Sequence, residues 1–366
     1  MPTIGEIINF LETKAPLSLQ ESYDNAGLVC GDRNAPCSGA LTSLDLTIEI
    51  MNEAIEKKFN LIIVHHPPIF KPLKKLDGNN TTTAMLIKAI QHGIAVYAIH
   101  TNLDNVIWGV NGEISERIGL QNVKVLSPLQ HTHQKLVVYV PKEHEEKLKS
   151  ALFDAGGGSI GNYSECSFNS EGIGTFKPLE GANPFIGSLG KRENTAEIKI
   201  ELIFPIHLKF QILSAMHASH PYETVAYDIM PLANEFNEIG AGAYGDLPYP
   251  MEANDFLRFL KDTFHTGVIR HNNGPKRKIK RIAICGGSGK SLINNALQIN
   301  ADSYVTADLG YHDFFIPADN MLLADIGHFE SEQYTSDLLA RMLNKKFPTF
   351  AVLKSARKTN PVNYFL

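Results

Sequence analysis

Four apolar residues, Leu61-Ile62-Ile63-Val64, run into two prolines, Pro67 and Pro68, with only His65 and His66 between them. A short run of this kind predicts a buried strand. Proline fixes φ, lacks an N–H and biases the residue before it towards an extended conformation, so the strand stops here. Two imidazoles are thereby delivered to its carboxyl end, and open α/β sheets bind ligands in the crevice at strand carboxyl ends. Imidazole is the commonest metal ligand and a frequent general base. Successive side chains of a regular strand point to opposite faces, so both rings reach one site only if the backbone bends. The alternative is a polar turn whose imidazoles are capped by backbone groups.

The same alternation of strand and helix extends along residues 41–106. Strands are expected over Leu41 to Leu46 and Ile94 to Ile99, and helices over Ile48 to Lys58 and Ala84 to Gln91, the second closed by Gly93. The pattern returns late in the chain. Arg281 to Cys285, Ser303 to Thr306, Met321 to Ala324 and Thr349 to Leu353 read as strands, with helices over Lys290 to Gln298 and Ser331 to Leu343. Between these segments the order becomes β-α-β-β-α-β. Strands are expected over Lys135 to Val140, Ile160 to Phe168, Ala196 to Phe204 and Ala226 to Met230, and helices over His144 to Ala155 and Ile206 to Ala218. That order fits a small ferredoxin-like domain. The expected division is a discontinuous α/β domain, residues 1–129 plus 236–366, interrupted by an inserted α+β domain at 130–235.

At 366 residues, 43% hydrophobic and 20% charged, the chain has room for two ordinary cores. A net charge of -5 and only a short basic run, Lys276-Arg277-Lys278 with Lys280-Arg281, make nucleic acid an unexpected partner. Met1 to Leu11 carries no basic region followed by an apolar core, and no stretch approaches membrane-spanning length, so a cytoplasmic protein without a membrane partner is expected. Cys30, Cys37, Cys166 and Cys285 form no C-x-x-C pair, which argues against a disulfide scaffold or a thiolate zinc site. Any metal would then have nitrogen and oxygen ligands.

Several groups gain meaning only together. Asp104, in Thr101-Asn102-Leu103-Asp104-Asn105, follows another strand end, although the run also suits an Asx-turn. His328 and Glu332 stand four apart, which places imidazole and carboxylate on one helical face. Glu330 and Ser331 suit a helix start instead. Three histidines and two carboxylates from three strand ends suit two divalent ions sharing a bridging carboxylate. After the strand at 303–306, His312 is a candidate proton donor or acceptor and Asp308 a partner for a ligand's imidazole, an ordinary turn being the alternative. Gly286-Gly287-Ser288-Gly289-Lys290-Ser291 mimics a P-loop, but the required first glycine is Ile284. A phosphate or carboxylate held by its N–H groups is the weaker reading. Gly172-Ile173-Gly174 and His220-Pro221-Tyr222-Glu223 suit either a small-ligand site or turns and subunit contacts. The early cluster Asp24-Asn25, Gly27-Leu28, Gly31-Asp32 reads as a loop whose role depends on its partners.

Taken together, Tyr23-Asp24-Asn25-Ala26-Gly27-Leu28, His65-His66-Pro67-Pro68-Ile69-Phe70, His100-Thr101-Asn102-Leu103-Asp104, Asp325-Ile326-Gly327-His328 with Ser331-Glu332, and the closing Thr359-Asn360-Pro361-Val362 resemble the Nif-three-like family. These are the dinuclear-metal-centre hexameric proteins often named GTP cyclohydrolase I type 2 homologs. The resemblance implies a discontinuous Nif-three-like domain of βα units around a mixed sheet, with an inserted PII/CutA-type domain. It implies that His65, His66, Asp104, His328 and Glu332 hold two divalent ions, zinc, iron, manganese or nickel, with Glu332 and Asp104 the candidates for bridging. It further implies a toroidal homohexamer and a metal-dependent hydrolase acting on a purine nucleotide, with opening of the GTP imidazole ring as the named reaction and His312 as proton shuttle. A phosphoesterase and a non-enzymatic regulatory or chaperone protein with a ligand-sensing insertion are the alternatives. Where relatives often show Trp-Asp-Asn and Thr-Gly-Asp, this chain has Tyr23-Asp24-Asn25 and Thr306-Ala307-Asp308.

Overall fold

Leu61–Val64 is a strand with all four residues buried, and it lies at the centre of a five-stranded sheet in the computed structural model, which describes residues 1–234, 236 and 238–365. Each of its side chains contributes about 1.5–3 kcal/mol by leaving water, which fixes the strand and the histidines that follow it. The sheet runs Gly27–Cys30, Ala95–Ala98, Leu61–Val64, Ala40–Ser43, Val352–Lys354, parallel throughout except for the antiparallel edge strand Gly27–Cys30. Ile62 and Val64 pack with Ile50, Met51 and Ala54 of helix Ile48–Lys57 and with Met85 and Ala89 of helix Thr81–Gln91. Leu61 and Ile63 face the opposite way, into a core shared with a second sheet.

That second sheet has six strands in the order Arg270–His271, Leu322–Asp325, Ser303–Ala307, Ile279–Ser288, Gly240–Met251, Gln121–Pro128. Three central strands are parallel and the others antiparallel, so this sheet is mixed. Ile282, Ile284, Val305 and Ala324 meet Leu61, Ile63 and Tyr97 in the shared core. Gly240–Met251 contains two prolines and three glycines, a composition that hides a strand. The register demands the glycines: a Cβ at Gly240 would stand 2.2 Å from the Ser127 carbonyl oxygen.

By contact density the chain divides into two compact units, Met1–Pro128 with Asn237–Leu366, and Leu129–Phe236. The two sheets above belong to the first. The second unit contains one four-stranded antiparallel sheet, ordered Phe168–Phe176, Glu193–Pro205, His133–Pro141, Tyr227–Pro231. Helices Glu145–Asp154 and Lys209–Ser219 cover one face, burying Leu148, Leu152, Ile212 and Met216 against Leu136, Val138, Ile198, Ile200 and Leu202. No helix among the described residues is long and apolar enough to cross a membrane.

Two expected elements are corrected. The strand placed over Ile160 to Phe168 is instead a turn in which Ile160 and Tyr163 pair, and the strand itself is Phe168–Phe176. That strand lies at a sheet edge and is largely exposed on both faces, so it carries no alternation to read. The helix expected over Ser331 to Leu343 is two helices, His328–Glu332 and Thr335–Lys346. At the break, the Gln333 side-chain amide donates to the carbonyl oxygens of Phe264 and Glu330.

Candidate metal centre

The strands Ala40–Ser43, Leu61–Val64 and Ala95–Ala98 end in register, Ser43 beside Val64 and Val64 beside Ala98. Two residues beyond each end stand Asp45, His66 and His100, so one level of the sheet presents a carboxylate and two imidazoles side by side. The bend that sequence reasoning required is present: the N–H groups of both His65 and His66 donate to the Leu44 carbonyl oxygen, at 3.1 and 3.0 Å. His65 Nδ1 donates to the Ile99 carbonyl at 2.8 Å, which leaves the Nε2 lone pair facing inward. His66 Nδ1 contacts Asp45 Oδ1 at 2.7 Å, and Asp45 is itself held by the Thr359 hydroxyl at 2.7 Å.

The second sheet supplies the rest. Helix His328–Glu332 follows strand Leu322–Asp325 after Gly327, whose φ of 97 leads the chain into the helix. The four-residue spacing brings His328 Nε2 within 3.1 Å of Glu332 Oε2. The same oxygen lies 3.0 Å from His66 Nε2, and the two imidazole Nε2 atoms are 3.3 Å apart. The other oxygen, Glu332 Oε1, stands 3.9 Å from His65 Nε2, which in turn lies 3.5 Å from Asp104 Oδ1. His65, His66, Asp104, His328 and Glu332 are thus brought together around one buried carboxylate.

Glu332 can lie there because Gly287 has no side chain. A Cβ at Gly287, where φ is 60, would stand 2.2 Å from Glu332 Oε1. The P-loop-like turn therefore forms the floor beneath the carboxylate. Its N–H groups are also engaged, Gly286 with Asn111 Oδ1 and Gly287 with the Ser331 hydroxyl, which removes the weaker reading of an anion cradle at those two residues. Glu330 points elsewhere and accepts from the Asn360 amide at 3.0 Å.

Electrostatics make these groups interdependent. Burial drives the pKa of His65 down to about 3, so its ring is neutral. Burial opposes charge on His66 as well, but hydrogen bonds to Asp45 and Glu332 outweigh it and carry that pKa up to about 10. His328 rises to about 9 in the same way, against burial, through Glu332 and Asp308. Glu332 is held well below the usual carboxylate range despite burial, by His328 and His66. Asp104 is pushed well above that range by burial and by the charge of Glu332.

His65 Nε2 and Asp104 Oδ1 are buried and have no hydrogen-bond partner among the described residues. Orphaned lone pairs in a protein interior are rare and need a reason. Inward-facing nitrogen and carboxylate donors, three imidazoles with two acids, are the ligand chemistry of a divalent cation. The ligating atoms of His66, His328 and Glu332 lie within 4.8 Å of one another, as do those of His65, His66 and His100. The histidine and glutamate groups can hold a metal ion.

The chain matches the family model described as Duf34/NIF3 (NGG1p interacting factor 3) over residues 2–361. It belongs to the DUF34/NIF3 family. Relatives of the family named GTP cyclohydrolase 1 type 2 homolog include one from Bacillus subtilis, 39% identical over 98% of each chain, and one from Halalkalibacterium halodurans, 38% identical over 98% of each. The fold of this DUF34/NIF3 chain is similar to a solved Bacillus cereus protein related to NIF3, with a TM-score of 0.86, 36% identity and coverage of 100% and 99% of the two chains.

Some residues around the cluster went unread. His100 lies with its ring 5.2 Å from that of His65 and 5.5 Å from that of His66, and its Nδ1 contacts Asp24 Oδ1 at 2.8 Å. Asp24 also accepts from the Thr101 backbone and hydroxyl, and Asn25 donates to the Ile69 carbonyl, so the early polar cluster supports this site. The level shared by Asp45, His66 and His100 was the available signal, each being two residues past a strand end. Asp308, by contrast, does contact a cluster imidazole, His328 Nδ1, at 2.7 Å. His312 is exposed on the turn Tyr311–Phe315, its ring against Tyr311 and Phe315. No hydrogen bond or ion pair among the described residues joins it to the five.

Proposed function

We propose that this protein is a metal-dependent hydrolase acting on a purine nucleotide, with two divalent ions held by His65, His66, Asp104, His328 and Glu332. The observation that carries this reading is the placement of Glu332, with Oε1 towards the otherwise unpartnered His65 and Oε2 shared by His66 and His328. One carboxylate so placed bridges two donor sets, and the unpartnered Asp104 Oδ1 completes the first of them. Divalent ions bound there supply Lewis acidity, which activates water near neutral pH and offsets charge developing on a substrate oxygen.

The chain's own residues do the rest. Asp45 and Asp308 fix the rings of His66 and His328 through their Nδ1 atoms, turning both Nε2 atoms inward. A cavity of about 390 Å³ opens beside His66 and His328, lined also by Arg270, Asn360 and Tyr364, and is the proposed entry for substrate. His100, backed by Asp24, is the better-placed group for moving a proton at the cluster. The shuttle role expected of His312 would have to run through solvent, since its ring is exposed and makes no hydrogen bond or ion pair with the five among the described residues. The inserted unit is read as ferredoxin-like on its β-α-β-β-α-β order and on a sheet in which the first and third strands lie centrally, and its PII/CutA type rests on the family resemblance. Assembly as a toroidal homohexamer and the reaction on GTP rest on the family resemblance and the relatives' names.

Two measurements test the reading together. Crystals of protein never exposed to chelators should give two anomalous peaks about 3.5–4 Å apart among the five side chains. Metal-loaded protein given GTP should then release formate and a ring-opened triphosphate. Free phosphate instead identifies a phosphoesterase, and no product from fully loaded protein identifies a metal-binding protein without this activity.

A further inference from the structure

The face of the inserted sheet opposite its two helices carries a second buried carboxylate. Along Glu193–Pro205 the even positions Ile198, Ile200, Leu202 and Phe204 enter the helix-covered core, so Glu197 and Lys199 project from the other face. Tyr139 shares that face through its pairing with Lys199. The opposite neighbour of Glu197 is Gly172, and of Lys199 it is Ser170, so the edge strand leaves the face open. The connection over residues 177–192 folds back over this opening and is pinned by the Asn183 N–H to Glu223 Oε1 at 2.9 Å. A cavity of about 850 Å³ results, within the range that holds a drug-sized molecule. The motifs Gly172-Ile173-Gly174 and Tyr222-Glu223, distant in sequence, both line it.

Glu197 is only 8% exposed, and it has no cationic partner among the described residues. Its one hydrogen bond there comes from the Tyr222 hydroxyl to Oε1, at 2.8 Å. Oε2 lies over Gly174, where a Cβ would be 1.9 Å away. Buried carboxylates normally have a counter-charge, because taking the anion out of water is costly unless it is paired. The other charged groups lining the cavity do not supply it: Lys199 is held by Glu201 at 3.1 Å, Glu171 by Lys142 at 2.7 Å, and Glu223 adds a further negative group. Lys177 also lines the cavity without an ion pair among the described residues to tie it to Glu197. Aromatic rings line the same cavity, Phe176 and Phe185 with centroids 6.1 and 6.3 Å from that of Tyr222, whose hydroxyl meets the carboxylate. Ring faces attract cations and apolar bodies, and a lone carboxylate among rings is a poor metal site.

We propose that the inserted unit binds an organic amine in this cavity, its protonated nitrogen against Glu197 and its apolar or aromatic body against Phe176, Phe185 and Tyr222. The site stands on its own residues, whatever chemistry the imidazole cluster performs. Titration calorimetry on the full chain with tryptamine and benzyltrimethylammonium should show one saturable site. The neutral analogue tryptophol and the anionic indole-3-propionate should bind about tenfold more weakly or worse. Glu197→Gln keeps an acceptor for the Tyr222 hydroxyl but removes the charge, and should erase the difference between tryptamine and tryptophol. Phe185→Ala, at a ring that is half-exposed and outside the buried core, should weaken both cations about threefold or more. Equal binding of cation, neutral analogue and anion, no saturable binding of either cation, or an unchanged cation preference in Glu197→Gln would overturn the proposal.

Discussion

Glu332 and Glu197 are both carboxylates taken out of water and laid over a glycine, yet their surroundings are opposite in kind. Glu332 is ringed by nitrogen donors, with His66 and His328 at 3.0 and 3.1 Å and His65 at 3.9 Å. Glu197 has one phenol, aromatic rings lining the same cavity, and no ion pair among the described residues with the lysines that also line it. The difference teaches what each can hold. Directional lone pairs converging on one point suit a small bare cation, which needs several ligands at once. An isolated anion among ring faces suits a cation that brings its own apolar body, because rings replace water around it without coordinating.

The strongest way to break this contrast is to exchange the fates of the two carboxylates. Glu332→Ala should reduce divalent metal per chain to background while the tryptamine affinity stays within about twofold, and Glu197→Gln should do the reverse. The metal loss should exceed the ten- to hundredfold typical of changes behind a ligand, since Glu332 serves both donor sets. Metal analysis and calorimetry on the same preparations decide it. Loss of both ligands in either variant would mean that the two sites are not separable.

Acid sharpens the comparison next. Without a cation the cluster holds protons on His66 and His328, whose pKa values are raised to about 10 and about 9. A raised imidazole pKa means the charged form is favoured, and a metal ion must displace both protons to reach the nitrogens. Affinity is therefore lost as pH falls, by about 100-fold per unit for two protons released. Calorimetry in buffers of different ionisation enthalpy would count them, and a pH-independent metal affinity between pH 6 and pH 8 would contradict this account of the cluster.

The first site was largely legible because it is written at strand ends. The Leu61–Val64 strand, its histidines, and the His328–Glu332 helical spacing follow from local pattern, and the structure brings those side chains together. What escaped reading depends on register between strands. Asp45 and His100 stand level with His66 only because Ser43, Val64 and Ala98 are paired, and pairing is a non-local fact. Gly287 looked like part of a phosphate loop because its partner, Glu332, is forty-five positions away in sequence. The second site was legible only in part: Gly172-Ile173-Gly174 and Tyr222-Glu223 read as a small-ligand site or as turns and both line the cavity, but no local pattern marked Glu197. Its edge strand Phe168–Phe176 has neither alternation nor a buried face, and Glu197 reads as an ordinary surface residue of a strand until the 177–192 connection covers it.

The two glycines give the finest test. At Gly287 the backbone has φ 60, a region that alanine enters only at a cost, and its Cβ would meet Glu332 Oε1 at 2.2 Å. At Gly174, in an ordinary strand conformation, the Cβ would meet Glu197 Oε2 at 1.9 Å. Both substitutions displace a carboxylate, but only the first also strains the chain. Gly287→Ala should therefore lower global stability by about 1–3 kcal/mol in urea unfolding and weaken metal binding. Gly174→Ala should leave stability within about 1 kcal/mol, because an exposed edge strand gains from losing glycine's freedom, while tryptamine binding weakens about tenfold. If Gly174→Ala bound tryptamine as well as the parent chain, the position of Glu197 would have no part in recognition, and the parallel between the two carboxylates would fail at its second member.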